Sequence, residues 1–282
     1  MCFSAAASFS AAGLLIPFGV ASLKGCQRGG DPSLRPLAAI PLLFATQQAL
    51  EGLIWLDLGR GSTSPWRTPL SLAYLFFAYA LWPAWIPWSA LAAAGSPLAP
   101  ARTMILRLLL AAGGLLGLIL WLPLLAAPGR AGPVPLAGSL HYGVVDVLQG
   151  TPLAHTGPAI YLVFIALPLV LVPRGSVRLF ALSLTLAALL AQLWWQHAYT
   201  SVWCFFSALL SLQLLTVVAA ARPFRPPAVV APAQGSAEPA GPAPEQSAPA
   251  ALDRRHGAAG TAGPSGRPAR GSATAAPVAD PM

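Results

Sequence analysis

The sequence predicts an all-α membrane protein, a bundle of about seven transmembrane helices with the N-terminus outside and the C-terminus cytoplasmic. Three observations lead there. Of 282 residues, 56% are hydrophobic and only 9% charged, where an ordinary soluble domain carries about 25% charge. Apolar runs of the length that a bilayer core requires recur along the first 221 residues. The basic residues between them alternate in density: Lys24, Arg28, Arg35, Arg102, Arg107, Arg174, Arg178, Arg222 and Arg225 follow odd-numbered runs or the last, against Arg60, Arg67 and Arg130 on the other side. Lys and Arg accumulate in cytoplasmic loops, so nine against three sets the orientation.

Run one, 4 to 23, precedes the first positive charge, Lys24. A signal peptide has the reverse order, so this run is expected to stay as a helix. Run two, 37 to 58, holds Glu51, and run three, 69 to 91, carries Tyr74, Phe76, Phe77, Tyr79, Trp82, Trp85 and Trp88 with Pro83 and Pro87 one turn apart. Such residues form an interfacial aromatic belt on a kinked helix. In run four, 104 to 126, Gly113 and Gly117 make a G-x-x-x-G that permits close helix contact. The loop from 127 to 156 is long for a bundle. Within it, residues 140 to 146 read as a strand and Gln149 to Pro152 as a turn, which predicts a short external hairpin between helices four and five. Runs five, six and seven follow at 157 to 173, 176 to 196 and 200 to 221. Residues 1 to 225 therefore form the transmembrane domain. Residues 226 to 282 turn to Pro, Ala, Gly and Ser without apolar periodicity, as a disordered cytoplasmic tail does.

Glu51 is the one acidic residue deep within an apolar run, and an intramembrane carboxyl marks a functional site by default. Gln47, Gln48, Glu51 and Trp55 stand at spacings of three, four and seven, so they share a helical face. A second polar concentration, including Gln192, His197, Ser201 and Cys204, spans the junction of runs six and seven. In the predicted topology both lie at the outer level, near Ser4 and Ser8, as a polar pocket open to the exterior. The alternative is that Glu51 only ties helices together by hydrogen bonds.

Cys2 and Cys204 are both predicted external, where a disulfide is permitted; Cys26 falls on the cytoplasmic side. A zinc site would need about four ligands. Glu51, His197 and Cys204 with Cys2 or His141 could supply them, although no close-spaced ligand pair such as H-x-x-x-H is present.

The opening Met1-Cys2-Phe3-Ser4-Ala5-Ala6-Ala7-Ser8-Phe9, the stretch Gln47-Gln48-Ala49-Leu50-Glu51-Gly52-Leu53-Ile54-Trp55 and the block His197-Ala198-Tyr199-Thr200-Ser201-Val202-Trp203-Cys204-Phe205-Phe206 resemble an uncharacterised bacterial multi-pass family of actinobacterial type. The resemblance runs from the first residue through run seven. It implies that Cys2, Ser4, Ser8, Gln47, Gln48, Glu51, Trp55, His197, Ser201, Trp203 and Cys204 match the family's characteristic positions. Intramembrane hydrolases of the alkaline ceramidase type also have seven helices, but this chain departs from their pattern: it lacks paired histidines on its last helix and a matching intramembrane Asp.

The sequence thus leads to a bacterial cell-membrane protein whose surroundings are the lipid bilayer and whose pocket binds, senses or transports a small ligand or a proton. Two other classes stand beside that reading. One is an intramembrane metal-assisted hydrolase using Glu51, His197 and Cys204. The other is a structural or assembly protein whose tail recruits a cytoplasmic partner. The net charge of +8 does not call for nucleic acid, because the basic residues sit between apolar runs as topology signals. The single lysine and the absence of asparagine, hence of any N-glycosylation acceptor, fit a bacterial membrane.

Overall fold

The computed structural model describes residues 4–28, 30–61, 64–95, 99–136, 138–142 and 153–221, without the side chains of 153–155 and 197. They belong to the unit spanning Met1–Pro227. The tail 226–282, Cys2, the second half of the foreseen strand and the foreseen turn at 149–152 lie outside the described residues.

Seven helices account for most of what is described: α1 (Ala5–Gln27), α2 (Pro32–Leu58), α3 (Arg67–Ala94), α4 (Pro100–Ala126), α5 (Leu153–Leu171), α6 (Gly175–Trp194) and α7 (Tyr199–Ala220). Six are long and apolar enough to cross a membrane, and α5 adds a shorter apolar stretch, Thr156–Leu171. Several run beyond their apolar stretches, as α1 does past Lys24 to Gln27, because the backbone goes on closing its own hydrogen bonds after the side chains have turned polar.

Local chemistry sets the helix starts. Ser4 caps α1, its hydroxyl accepting from the Ala7 amide at 3.3 Å. Asp31 does the same for the 3-10 turn that opens α2, accepting from Ser33 N–H at 2.9 Å, with Pro32 at the first position where no amide is needed. Asp31 also pairs with Arg174, just before α6, at 2.5 Å.

The helices close a ring in which α1 packs on α2, α2 on α3, α3 on α5, α5 on α6, α6 on α7 and α7 back on α1. The approach of α1 to α2 depends on glycine. A Cβ at Gly19 would come within 2.6 Å of the Leu42 side chain, and one at Gly52 within 2.9 Å of the Phe9 ring. Helix α4 lies outside the ring against α3, with Leu108, Leu115, Leu118, Ile119 and Leu122 exposed on its other face. Gly113 and Gly117 of α4 meet backbone carbonyls of α3, and a Cβ at Gly117 would stand 2.9 Å from the Ala80 oxygen.

Helix α3 departs from α geometry where Phe76–Leu81 form a π-helical segment, with the Trp82 amide bonding to Phe77 O. Continuing that pattern, the next amide would serve the Ala78 carbonyl, but residue 83 is proline and has none. The Tyr161 hydroxyl of α5 donates to that carbonyl instead. The irregular turn is thus satisfied from across the bundle, as a helix in an apolar medium requires.

The connection between α4 and α5 contains a two-stranded antiparallel hairpin, β1 (Pro133–Leu136) and β2 (Ser139–Tyr142), in the register Pro133↔Tyr142 to Leu136↔Ser139. The first part of the strand foreseen at 140 to 146 thus falls in β2, which pairs backward with a strand containing Pro133 and Pro135, and residues 143–146 lie outside the described residues. Gly138, at φ +77°, takes the left-handed position in the turn. Strand β2 packs against α7.

Candidate functional site

Glu51 is buried near the middle of the ring, with a relative exposure of 1%. Its Oε1 accepts a hydrogen bond from the Ser201 hydroxyl of α7 at 2.5 Å, within the range of charge-assisted O–H···O bonds. Gln47, one turn earlier on the same face, accepts from Trp82 Nε1 of α3 at 2.9 Å. These two bonds tie α2 to α7 and α3 and orient the polar face inward.

The remaining polar atoms of this face are less well served. Glu51 Oε2, Gln47 Nε2 and both amide atoms of Gln48 are buried without a close hydrogen bond, as is Trp55 Nε1, although Gln48 stands beside the Glu51 carboxylate and Gln47 beside Cys204. On the surrounding elements Ser8 Oγ of α1, Tyr74 Oη of α3, Tyr142 Oη of β2 and Trp203 Nε1 of α7 share that condition. Each such atom costs about 1–3 kcal/mol if it stays unmade. The Tyr74 and Tyr142 rings stack with centroids 5.0 Å apart, and both phenols lie within electrostatic reach of Glu51 and Cys204. Burial raises the Tyr142 hydroxyl well above its ordinary pKa, and the nearby Glu51 adds to that, so this group stays protonated and available to donate.

One turn along α7 from Ser201, Cys204 reaches a cavity of about 30 Å³ in the centre of the ring. Its wall is mostly apolar and aromatic, with Phe44, Trp82, Tyr161, Trp203 and Leu184 among the lining residues and Ser207 as a polar one. Trp82 joins the two regions: its indole N–H serves Gln47 while its ring stacks on Phe44 at 4.1 Å along the cavity.

Gln47, Gln48, Glu51, Ser201 and Cys204 are therefore buried between α2 and α7, with Trp55 half-buried beside them. Gln192 is not drawn in as closely; it is half-buried near the end of α6, which packs chiefly on α5 and α7. The side chain of His197 lies outside the described residues. Cys204 is a buried free thiol, and Cys2, foreseen as its disulfide partner, is outside the described residues. Among those residues no group of three or more His, Cys, Asp or Glu could hold a metal ion. The cluster is closed here, because Gln47, Gln48 and Glu51 are at most 1% exposed and β2 lays Tyr142 over Tyr74.

Sequence reasoning did not connect Tyr74, Tyr142 and Trp82 with this cluster. Tyr74 and Trp82 read as members of an aromatic belt, and only a tertiary contact separates an interfacial tryptophan from one that serves a buried amide. Tyr142 stood in a loop segment whose pairing direction was not legible.

The family model described as "Family of unknown function (DUF6629)" matches residues 1–229. No curated protein and no solved structure matches the chain.

Proposed function

We propose, from the premise that this chain belongs to that family of unknown function, that it is a multi-pass protein of the bacterial cell membrane whose buried polar cluster binds a small ligand or a proton, for sensing or transport. The observation that carries the reading is the set of buried, unpartnered polar atoms around Glu51. At about 1–3 kcal/mol each, such atoms are a burden that a bundle selected for stability alone would shed. A bound guest that exchanges hydrogen bonds with them removes it. The excess of Lys and Arg on one side supports an outside N-terminus and a cytoplasmic C-terminus. The hairpin and the Glu51 half of α2 are then outermost, and access is from outside, past β2.

The test is a stability profile of the detergent-purified full chain, read as melting midpoint between pH 4 and 9 and against a panel of small polar solutes. The comparison is with Glu51→Gln, whose side-chain oxygen can still accept from Ser201. The expected result is a pH or solute response in the wild type that Glu51→Gln lacks while it still elutes as folded protein. Coincident profiles for the two proteins would end the proposal.

A further inference from the structure

The chemistry of the unpartnered atoms narrows the guest. Glu51 offers one free carboxylate oxygen and Gln48 one free carbonyl oxygen, both buried. The hydroxyl of Tyr142 can accept as well as donate, and it too is unpartnered, while that of Tyr74 stands beside the Cys204 thiol. Among the described residues every Lys and Arg lies at a helix end, in the first two turns of α4 or in a connection. Arg67 and Arg174 are moreover held by Asp57 and Asp31. No described lysine or arginine therefore stands opposite Glu51. A buried carboxylate without a countercharge is strongly disfavoured, whereas a guest cation supplies what the chain does not. Aromatic faces at the same level, those of the stacked Tyr74 and Tyr142, also favour a cation over an anion.

A primary ammonium group has three N–H donors and no acceptor. That complement matches one carboxylate oxygen, one amide oxygen and a phenolic oxygen. The cavity one turn below has a wall suited to carbon rather than to charge, and at about 30 Å³ it admits at least one methyl-sized group. Cys204 and Trp82 border both regions, so a molecule with an ammonium head and a short alkyl end spans them.

We propose that the Glu51 site takes a small primary alkylammonium ion, with the ammonium on Glu51 and Gln48 and the alkyl end in the Phe44–Trp82–Trp203 cavity. The inference rests on the binding reading given above. It also says how selectivity arises: each methylene placed in the cavity contributes about 0.8 kcal/mol, close to fourfold in affinity, until the space is full.

The test is calorimetric titration of the full chain in nanodiscs with methylammonium, ethylammonium and butylammonium chloride, beside ethanol and acetamide as neutral probes and sodium acetate as an anion. The expected result is ethylammonium binding about fourfold tighter than methylammonium. Glu51→Gln should weaken both by at least about tenfold. Ser207→Leu, which fills the cavity and leaves the head site intact, should erase the preference for ethyl over methyl. Should Glu51→Gln fail to fold, Gln48→Leu takes its place and must weaken all the ammonium ions alike. Binding of the neutral probes in preference to the ammonium ions overturns the cation assignment while the polar-site reading stands. The same holds if only protons produce a Glu51-dependent response. If neither protons nor any probe produces a response that Glu51 or Gln48 alters, both readings fall.

Discussion

Two carboxylates are buried on α2 less than two turns apart, and they differ in what faces them. Asp57 accepts from Arg67 Nε at 3.0 Å, from the Ser64 hydroxyl, and through its backbone carbonyl from the same guanidinium at 3.3 Å. Glu51 has the Ser201 hydroxyl and the neighbouring Gln48 side chain, and no described lysine or arginine. Removing one member of a buried ion pair strands the other. Arg67→Met should therefore lower stability by about 3 kcal/mol, and Arg67→Met with Asp57→Asn should recover most of it, read as melting midpoints of the purified protein. A double variant as unstable as the single one would show that Arg67 acts through packing instead. The contrast also explains what the sequence revealed of the site. Spacing alone puts Gln47, Gln48, Glu51 and Trp55 on one helical face, because helical period is a local property. Nothing local brings Ser201 to Glu51 across 150 positions or Trp82 to Gln47 across 35; those are tertiary facts.

At the scale of elements, the hairpin was legible in β2 and not in β1. Prolines lack the amide that a ladder uses, so Pro133 and Pro135 hid β1. In the structure β2 covers the cluster. Tyr142→Ala should remove that cover and speed labelling of Cys204 by a water-soluble maleimide about tenfold or more, equivalent to ~1.4 kcal/mol of closure, in a protein carrying Cys2→Ser and Cys26→Ser. An unchanged rate would mean that another element shields the site. The opposite end of the bundle is fastened by Asp31 and Arg174. Partial burial pushes the Asp31 carboxyl up, but hydrogen bonds from Ser33 and from Arg174 outweigh it and hold its pKa below the ordinary value. A lowered folded-state pKa gives stability that is present above the unfolded value and fades as pH falls through the folded one. The pair is partly exposed, so the contribution is about 1 kcal/mol or less. Asp31→Asn should therefore cost little at neutral pH, and its melting curve should converge with the wild type below the ordinary carboxylate range. A gap that persists in acid would show that the loss does not come from the ion pair.

For the whole molecule, run length and composition located all seven helices, because the length of an apolar run and its freedom from charge are written directly in the chain. Their ring order is not so written; it follows from side-chain fit, such as the glycines between α1 and α2. The orientation assigned from Lys and Arg is tested by fusing a reporter active only in the cytoplasm after Arg225, which should be active, and another within 127 to 156, which should be silent. The reverse pattern would move the polar cluster to the cytoplasmic half and the proposed guest with it.

The π-helical segment of α3 holds one residue more than an α-helix of the same rise would need, so it behaves as an insertion that the fold has absorbed. Deleting Ala78 would let that stretch relax to regular α geometry while what precedes and follows it keeps its place. In the regular turns on either side nothing absorbs the loss, and one part of the helix would turn by about 100° against the other. A scan of single-residue deletions along α3, read by the yield of folded protein, should therefore find the best tolerance between Phe76 and Leu81, and equal loss along the whole helix would show that the wide turn is held by its own contacts.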